Sequence, residues 1–264
     1  INEKTKVIVP IHYAGFPSDM DKINILAKKY NLIVIEDAAQ AVNSKYKGKY
    51  AGSLSDIGAF SFHASKAMSC GEGGALTLND RRYFERSDLI LEKGTDRKKV
   101  ISGLQDKYSW VDIGSSFLPS NLLASILWGQ LEGMDLLQNR RKKLFDRYTK
   151  TFIPLQKKGL KMIIEQDDVE INYHAFWLLF KNEKKKDFFL KLSNKSNIFP
   201  YIGYIPLHSS KMGKKFGGDK QHLPITDYVG KCLVRLPFYF MSSEEINYTC
   251  ENLYDAANLA IEVN

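Results

Sequence analysis

The sequence contains little cysteine and no long apolar run. Only three of its 264 residues are cysteine, Cys70, Cys232 and Cys250, and they have neither metal-ligand spacing nor an even number for pairing. This predicts reduced thiols, a reducing compartment and no bound metal. No apolar stretch is long enough to span a bilayer, and no signal-peptide pattern opens the chain. We therefore predict no membrane partner and a cytoplasmic location.

The chain is basic but carries no nucleic-acid-binding pattern. It has 38 lysines and arginines against 30 acidic residues, a formal net charge of +8 at pH 7. The basic residues form local clusters at 140–143 and 184–186, which is typical of solvated helix faces and ends. Because no nucleic-acid-binding module is present, we predict no nucleic-acid partner. The positive potential favours an anionic small molecule instead.

Strand and helix patterns alternate in the first half of the chain. Residues 32–35 form a continuous apolar run, typical of a parallel strand covered on both faces, and Asp37 lies at its carboxyl end. Ser18 and Asp21 indicate a capping box that opens a helix. Further elements are predicted as strands at 6–12, 57–63 and 75–78 and a helix at 80–91. The alternation predicts an α/β fold.

The pattern changes after Pro119. Apolar residues keep helical spacing from Leu122 to Leu137, which predicts a long connecting helix. The Gly- and Lys-rich stretch 209–222 predicts a loop. The remaining segments beyond Thr151 are strand-like at 175–180 and 198–202 and amphipathic at 186–192 and 243–261. This second pattern is typical of a smaller α+β domain.

The most informative motif is a lysine placed just after a predicted strand. Lys66 ends the segment Phe-Ser-Phe-His-Ala-Ser-Lys at 60–66, Asp37 ends an earlier strand, and a Gly-rich turn follows at 71–74. An amine that forms an imine and an anion that pairs with a pyridinium nitrogen are the groups that pyridoxal phosphate chemistry requires. Taken singly, the two residues also fit a surface lysine and an acid that ends a strand or caps a helix.

Together these segments resemble the DegT/DnrJ/EryC1/StrS family of sugar-nucleotide aminotransferases, which are fold-type I pyridoxal phosphate enzymes. The resemblance covers nearly the whole chain. Segments 92–97, 106–110, 112–116 and 204–208 look most like the dTDP-4-oxo-6-deoxyglucose transaminases that make dTDP-4-amino-4,6-dideoxygalactose in bacterial surface polysaccharide pathways. The resemblance implies a large domain over 1–134 with a mixed, mostly parallel sheet, a connecting helix over 135–150 and a small α+β domain over 151–264.

The resemblance also implies roles for five residues around pyridoxal phosphate. Lys66 matches the imine-forming lysine, and Asp37 matches the acid that pairs with the ring nitrogen. Ala39 matches the small residue beneath the ring, and Gln40 matches the amide against its phenolic oxygen. Ser61 matches a hydroxyl that binds the phosphate.

Other residues match segments that line the sugar-nucleotide side of the family's site. These substrate-proximal candidates are His12, Tyr13, Asn172, His174, Tyr204 and His208. His63 also lies near the lysine, and its alternatives are a residue close to the substrate or a packed, hydrogen-bonded histidine. Two positions depart from the family pattern: Ala67 stands where Asn usually follows the lysine, and Gly203 stands where the nearest relatives tend to carry His. These departures leave the sugar open.

The implied function is transfer of an amino group from glutamate to the C4 keto group of a dTDP-4-oxo-6-deoxyhexose by a homodimer. Family members carry about a hundred further residues before this chain's first residue, roughly the size of a small domain. We therefore expect the chain to be an incomplete large domain plus the small domain, and to bind the cofactor weakly or not at all by itself. The alternatives are an inactive scaffold or regulatory relative of the same fold, and a nicotinamide-dependent sugar oxidoreductase. The second is disfavoured because no G-x-G-x-x-G precedes Asp37.

Overall fold

The structure is a computed structural model that describes residues 1–263. It divides into two compact units, which we describe separately. Of the described residues, the first unit comprises 1–135 and 166–172, and the second comprises 136–165 and 173–263. The predicted domain boundaries do not anticipate that the short segment 166–172 belongs to the first unit.

The described residues form eleven strands. In chain order they are β1 Val7–Ile8, β2 Ile33–Asp37, β3 Lys45–Tyr46, β4 Lys49–Tyr50, β5 Ile57–Ser61, β6 Gly74–Leu78, β7 Lys161–Met162, β8 Val169–Glu170, β9 Trp177–Leu179, β10 Tyr201–Ile202 and β11 Leu233–Arg235. The predicted strands at 6–12 and 198–202 are thus longer than the observed ones. An isolated parallel bridge between Ile11 and Asp37 continues the first of them.

The described residues also form nine α-helices. They are α1 Met20–Tyr30, α2 Phe84–Leu91, α3 Arg97–Ile101, α4 Asn121–Glu132, α5 Met134–Phe152, α6 Glu183–Lys195, α7 Lys211–Lys215, α8 Pro224–Cys232 and α9 Ser243–Glu262. The long helix predicted after Pro119 is interrupted, because α4 ends at the C-cap Gly133. The stretch predicted as a loop at 209–222 contains α7 and a one-turn 3-10 helix, Gly218–Lys220.

A four-stranded sheet organises the first unit, in the order β1-β2-β5-β6. The first three strands run parallel, and β6 pairs antiparallel with β5. This is the mixed, mostly parallel sheet expected from the sequence. Because β1, β2 and β5 share one direction, the residues at their carboxyl ends meet at one edge of the sheet.

Helix α1 covers one face of this sheet. Met20 and Ala27 of α1 and Val34 of β2 form a buried cluster, as the helical and strand periodicities require. The helix N-cap is Asp19, whose carboxylate accepts the Lys22 backbone N–H at 3.2 Å. The predicted capping box of Ser18 and Asp21 is therefore wrong by one position, since Asp19 is the N-cap.

Burial in the sheet differs from the expectation of two covered faces. Val34 of β2 is buried, but Val9 and Ile11 are 55% and 56% exposed, and Leu76 of β6 is 55% exposed. Apolar side chains of β6 and of the segment just after β1 thus face solvent. The apolar run in β2 correctly predicted a strand, but the cover on the outer strands is less than a parallel sheet normally has.

The second unit contains an antiparallel sheet in the order β10-β11-β9-β7. Its core is aromatic: Tyr148 and Phe152 of α5 pack near Phe176, with ring centroids 5.3 and 6.3 Å apart. Helix α9 begins with a capping box formed by Ser242 and Glu245. In neither unit do the described residues include a helix both long and apolar enough to cross a membrane.

Candidate active site

Asp37 lies at the carboxyl end of β2, beside strand β5. Its partner in the parallel register is Ala59, and the Ala38 N–H donates to the Ala59 carbonyl at 2.9 Å. The Asp37 carboxylate is half-buried and accepts the Ala39 N–H on Oδ1 at 3.1 Å. The backbone thereby holds one carboxylate oxygen near the sheet edge.

Lys66 lies in the turn that follows the neighbouring strand β5. Its backbone N–H donates to the His63 carbonyl at 2.9 Å, which closes a tight turn immediately after the strand. The side chain is half-buried, and no carboxylate within residues 1–263 forms an ion pair with its amine. The adjacency of β2 and β5 therefore places the acid and the lysine-bearing turn at the same edge of one sheet.

Gln40 follows Asp37 in the loop beyond β2. Its side-chain Oε1 accepts the Ala14 N–H at 2.8 Å, an interaction that fixes which end of the amide faces the backbone. The Nε2 group is then directed away as a donor. An amide held in this orientation suits recognition of an oxygen that only accepts hydrogen bonds. Ala39, between the two polar residues, is half-buried and contributes only a methyl group.

Ser61 and His63 lie at the end of β5 and just beyond it. The Ser61 hydroxyl accepts the His63 N–H at 3.4 Å, which leaves its own proton free to donate to another group. His63 is exposed; its Nδ1 accepts the Ser65 N–H at 3.1 Å, and its Nε2 lies 3.5 Å from Glu72 Oε1. The ring therefore holds the lysine turn together, and it is not packed in the core.

Glu36, the residue before Asp37, is the centre of a buried network that the sequence did not predict. Its side chain and that of His12 are both fully buried, with His12 Nε2 2.9 Å from Glu36 Oε2. The carboxylate also accepts the Gly52 N–H at 2.7 Å, the Leu54 N–H at 2.7 Å and the Ser55 hydroxyl at 3.0 Å. Four donors thus satisfy one buried carboxylate.

These donors decide the charge of Glu36. Burial acts to raise its pKa, but hydrogen bonds from His12, Gly52, Leu54 and Ser55 outweigh it and hold the pKa below the ordinary glutamate value. Because His12 Nδ1 accepts the Ser18 N–H at 3.1 Å, the proton of a neutral ring is on Nε2 and points at the carboxylate. Both ring nitrogens of His12 are therefore occupied inside the protein.

The network reaches the backbone of Asp37 as well. The His12 N–H donates to the Asp37 carbonyl at 3.0 Å, and the Asp37 N–H donates to the Pro10 carbonyl at 2.9 Å. Since alternate residues of a strand face opposite sides, Glu36 anchors one face while Asp37 faces the other. Glu36 and His12 thus hold the strand end that carries Asp37.

Asn172 fixes the loop that carries Gln40. Its Nδ2 donates to the Gln40 and Val42 carbonyls, each at 2.9 Å, and its backbone N–H donates to the Ser44 hydroxyl at 3.1 Å. That hydroxyl donates to the Gly15 carbonyl at 2.7 Å. Asn172 is 4% exposed, so the geometry gives it a positioning role within the first unit.

Gly15 is required by this arrangement for two reasons. Its φ is +86°, and a Cβ at this position would lie 2.1 Å from Asn172 Oδ1. We expect Gly15→Ala to lower the free energy of unfolding by more than the ~1–2 kcal/mol of the left-handed backbone alone. Gly48→Ala is the matched control, since its φ is +76° and nothing lies within 4 Å. Urea unfolding of both variants measures the difference; equal losses would contradict the contact with Asn172.

The remaining predicted residues are distributed over both units. Tyr13 is half-buried and begins a one-turn 3-10 helix, Tyr13–Gly15, directly after His12. In the second unit, Tyr204 is 67% exposed, and His208 Nε2 lies 3.0 Å from Asp227 Oδ1. His174 is buried in the second unit. Residues 1–263 contain no cluster of three or more His, Cys, Asp or Glu that could hold a metal.

Sequence reasoning missed Glu36, although a signal was present. It is a charged residue inside an apolar strand, and the strand period places it on the face opposite Asp37. A carboxylate buried in that way needs several donors. Its partners come from positions 12 and 52–55, which the strand pattern alone could not identify.

The fold and the site together define a class of protein. It is an α/β protein whose polar groups converge at the carboxyl ends of parallel strands, where ligands bind in open sheets of this kind. A model of the DegT/DnrJ/EryC1/StrS aminotransferase family matches residues 1–254, and the chain belongs to this family. The resemblance inferred from the sequence is thereby confirmed.

Individual relatives agree with this assignment. GDP-perosamine synthase of Escherichia coli O157:H7 is 32% identical over 96% of this chain and 66% of its own length. The dTDP-3-amino-3,6-dideoxy-alpha-D-galactopyranose transaminase of Aneurinibacillus thermoaerophilus is 31% identical over 95% of this chain and 65% of its own length. The chain thus spans about two thirds of the length of the curated relatives it matches.

Solved structures confirm the predicted fold class. The PMP form of Spr1654 from Streptococcus pneumoniae superimposes with a TM-score of 0.87 at 25% identity. The match covers 98% of this chain and 71% of that one.

Proposed function

We propose that this chain carries the lysine of a pyridoxal phosphate-dependent aminotransferase acting on nucleotide sugars. The observation that supports the proposal most strongly is the adjacency of β2 and β5, which brings Asp37 and the Lys66 turn to one sheet edge. Family membership and the solved relative in PMP form support the cofactor.

The residues at this edge fit the chemical groups of the cofactor. Asp37 is an anion for a protonated ring nitrogen, and Gln40 presents an oriented amide donor to an oxygen. Ser61 has a hydroxyl proton to donate to a phosphate. Ala39 leaves room for a flat ring, and the Lys66 amine is not consumed by an ion pair within residues 1–263. When bound, the cofactor supplies an electron sink for the electrons released at the substrate carbon.

The protein's own residues then supply attachment, orientation and proton transfer. Lys66 Nζ would hold the cofactor, and its amine would take a proton from the reacting carbon and return it. Asp37 keeps the ring nitrogen protonated, because an anion near a cation favours its charged form. Glu36 and His12 hold the strand end that carries Asp37, and Asn172 holds the loop that carries Gln40. Misplacement of these groups would slow the reaction steeply.

The substrates that we propose are glutamate as amino donor and a dTDP-4-oxo-6-deoxyhexose as acceptor at its C4 keto group. One relative in the comparison is a transaminase of a dTDP-linked sugar and another makes GDP-perosamine, which supports a nucleotide-linked sugar. We further propose a homodimer that acts in the cytoplasm. Tyr13, Tyr204 and His208 remain candidates for the sugar side.

Turnover of the intact gene product tests this function. With pyridoxal phosphate, glutamate and dTDP-4-oxo-6-deoxyglucose, we expect an amino-sugar nucleotide, identified by mass and NMR, together with 2-oxoglutarate. The GDP-linked 4-oxo-6-deoxy sugar is the comparison substrate. Faster turnover of the GDP sugar would contradict the dTDP assignment but keep the aminotransferase. No turnover of either sugar, with a control enzyme active, would contradict this proposed function.

A further inference from the structure

Arg235 is a buried arginine that forms no ion pair with an acidic residue among residues 1–263. It ends β11 and is only 8% exposed, and its register neighbours are Tyr201 on β10 and Trp177 on β9. Its guanidinium lies over the Tyr201 ring, with Cζ 5.1 Å from the centroid. The Nε atom is buried and has no hydrogen-bond partner within residues 1–263. A buried donor of this kind normally has an acceptor.

Arg141, on α5 of the same unit, carries a second, half-buried guanidinium. Its Nε donates to the Tyr173 carbonyl at 2.9 Å, and its Nη2 donates to the His174 carbonyl at 2.6 Å. One face of the group lies over the Phe238 ring, with Cζ 4.9 Å from the centroid. The two carbonyls use one edge of the guanidinium, so the Nη1 edge is left for another acceptor.

Both guanidiniums lie beside the same short segment, because Arg141 donates to the Tyr173 and His174 carbonyls and Arg235 is the register partner of Trp177. Burial lowers the pKa of Arg141 to about 10, the Tyr201 hydroxyl partly opposes this, and the charge of Arg235 lowers the pKa further. Among residues 1–263, no carboxylate lies within ion-pair distance of either guanidinium. Two like charges removed from water without a counter-ion are unfavourable, and an anion would relieve this.

We propose that Arg141 and Arg235 form an oxyanion-binding site in the second unit, which accepts the carboxylate or phosphoryl group of a small molecule. Aromatic rings cover guanidinium faces and leave N–H edges, which is the geometry with which arginine recognises planar carboxylates and phosphates. The site lies apart in sequence from the Lys66 segment, and its existence does not require the proposed aminotransferase activity.

Calorimetric titration of the full 264-residue chain tests the site. The probes are sodium phosphate, sodium succinate and sodium glutamate, each compared with sodium chloride at the same ionic strength. We expect saturable binding of at least one oxyanion and none of chloride. Phosphate alone would assign a phosphoryl site, and succinate or glutamate alone would assign a carboxylate site. Absence of saturable binding for all three would overturn the proposal.

Two variants distinguish anion binding at this site from a general effect of the protein's positive charge. We expect Arg235→Met to raise the Kd by at least about 10-fold, the loss expected for a charge-assisted hydrogen bond. Arg140→Gln is the matched control, because it removes one exposed positive charge from α5, next to Arg141. It should leave Kd unchanged. Unchanged affinity in Arg235→Met, or equal weakening in both variants, would overturn the proposal.

Thermal stability distinguishes a binding role of Arg235 from a purely structural one, since loss of a structural arginine would lower the Tm. In chloride alone, we expect Arg235→Met to match or exceed the Tm of the parent, because it removes like-charge repulsion and an unpaired donor. The oxyanion should then raise the Tm of the parent only. If Arg235→Met does not fold, Arg235→Lys keeps the charge without the planar fork and should weaken binding in the same direction. Binding by Arg235→Lys as tight as by the parent would contradict the site.

Discussion

We expect Lys66→Ala in the intact gene product to abolish amino-group transfer while leaving the fold intact. The lysine is half-buried, and it forms no ion pair within residues 1–263, so its loss should change the free energy of unfolding by at most ~0.5 kcal/mol. Loss of the proton-transferring amine alone should lower the rate by about 10²–10⁴-fold, and loss of the covalent attachment should lower it further. Single-turnover kinetics with glutamate measures the effect.

Two control variants define what the lysine contributes. Lys66→Arg keeps the positive charge but cannot give up its proton, so it should be as inactive as Lys66→Ala. Lys49→Ala removes an exposed lysine from β4 of the same unit and should retain parental activity. Parental activity in Lys66→Ala would refute the role of this residue, and an inactive Lys49→Ala would point to a general effect of lysine removal.

Glu36→Ala should be strongly destabilising. It removes the acceptor of four hydrogen bonds at a fully buried position, and it leaves His12 and the N–H groups of Gly52 and Leu54 without their partner. Removing one member of a buried, hydrogen-bonded pair typically costs about 3–5 kcal/mol. Urea unfolding followed by circular dichroism measures the loss. Glu36→Gln keeps the shape but turns an NH2 group toward donors, so an intermediate loss of about 1–3 kcal/mol is expected.

The stabilisation by Glu36 should also depend on pH. Its pKa is lower in the folded chain than in the unfolded one, so the charged form stabilises the fold above the unfolded value of about 4.3. This contribution is lost as the pH falls through the folded pKa, and the gap between parent and Glu36→Gln should then close. Glu72→Ala, at an exposed acid, is the control and should stay within ~0.5 kcal/mol. A gap that widens in acid would contradict the assignment.

The sequence predicted the parts of the site that depend on local pattern. An apolar run ending in Asp37 and a strand ending before Lys66 predicted two strands of an α/β sheet. The structure adds that the two strands are parallel neighbours, which brings their carboxyl ends to one edge. The roles of Asp37 and Lys66 as cofactor contacts came from the resemblance and remain predictions.

The parts that depend on long-range pairing were not predictable. Strand β8 pairs with β3, with Lys45 opposite Glu170, and this pairing places residues 166–172 in the first unit. A strand of two residues has no local pattern from which its pairing partner could be predicted. The positioning of the Gln40 loop by Asn172 depends on the same pairing, whereas the family resemblance had implied a substrate contact for Asn172.

His12 shows how burial changes an interpretation. The sequence placed it on the sugar side of the site, but its ring is fully buried and both nitrogens bond inside the protein. A positioning role for Asp37 is what the geometry supports. His63 shows the reverse, because an apolar-looking segment ends in an exposed histidine that bonds within the lysine turn.

The most direct measurement is borohydride reduction of the intact gene product in the presence of pyridoxal phosphate, followed by peptide mass spectrometry. The account predicts one reduced pyridoxyl adduct, on the peptide that contains Lys66, and its loss in Lys66→Ala. An adduct on a different lysine, or no adduct in a protein that turns over substrate, would contradict it.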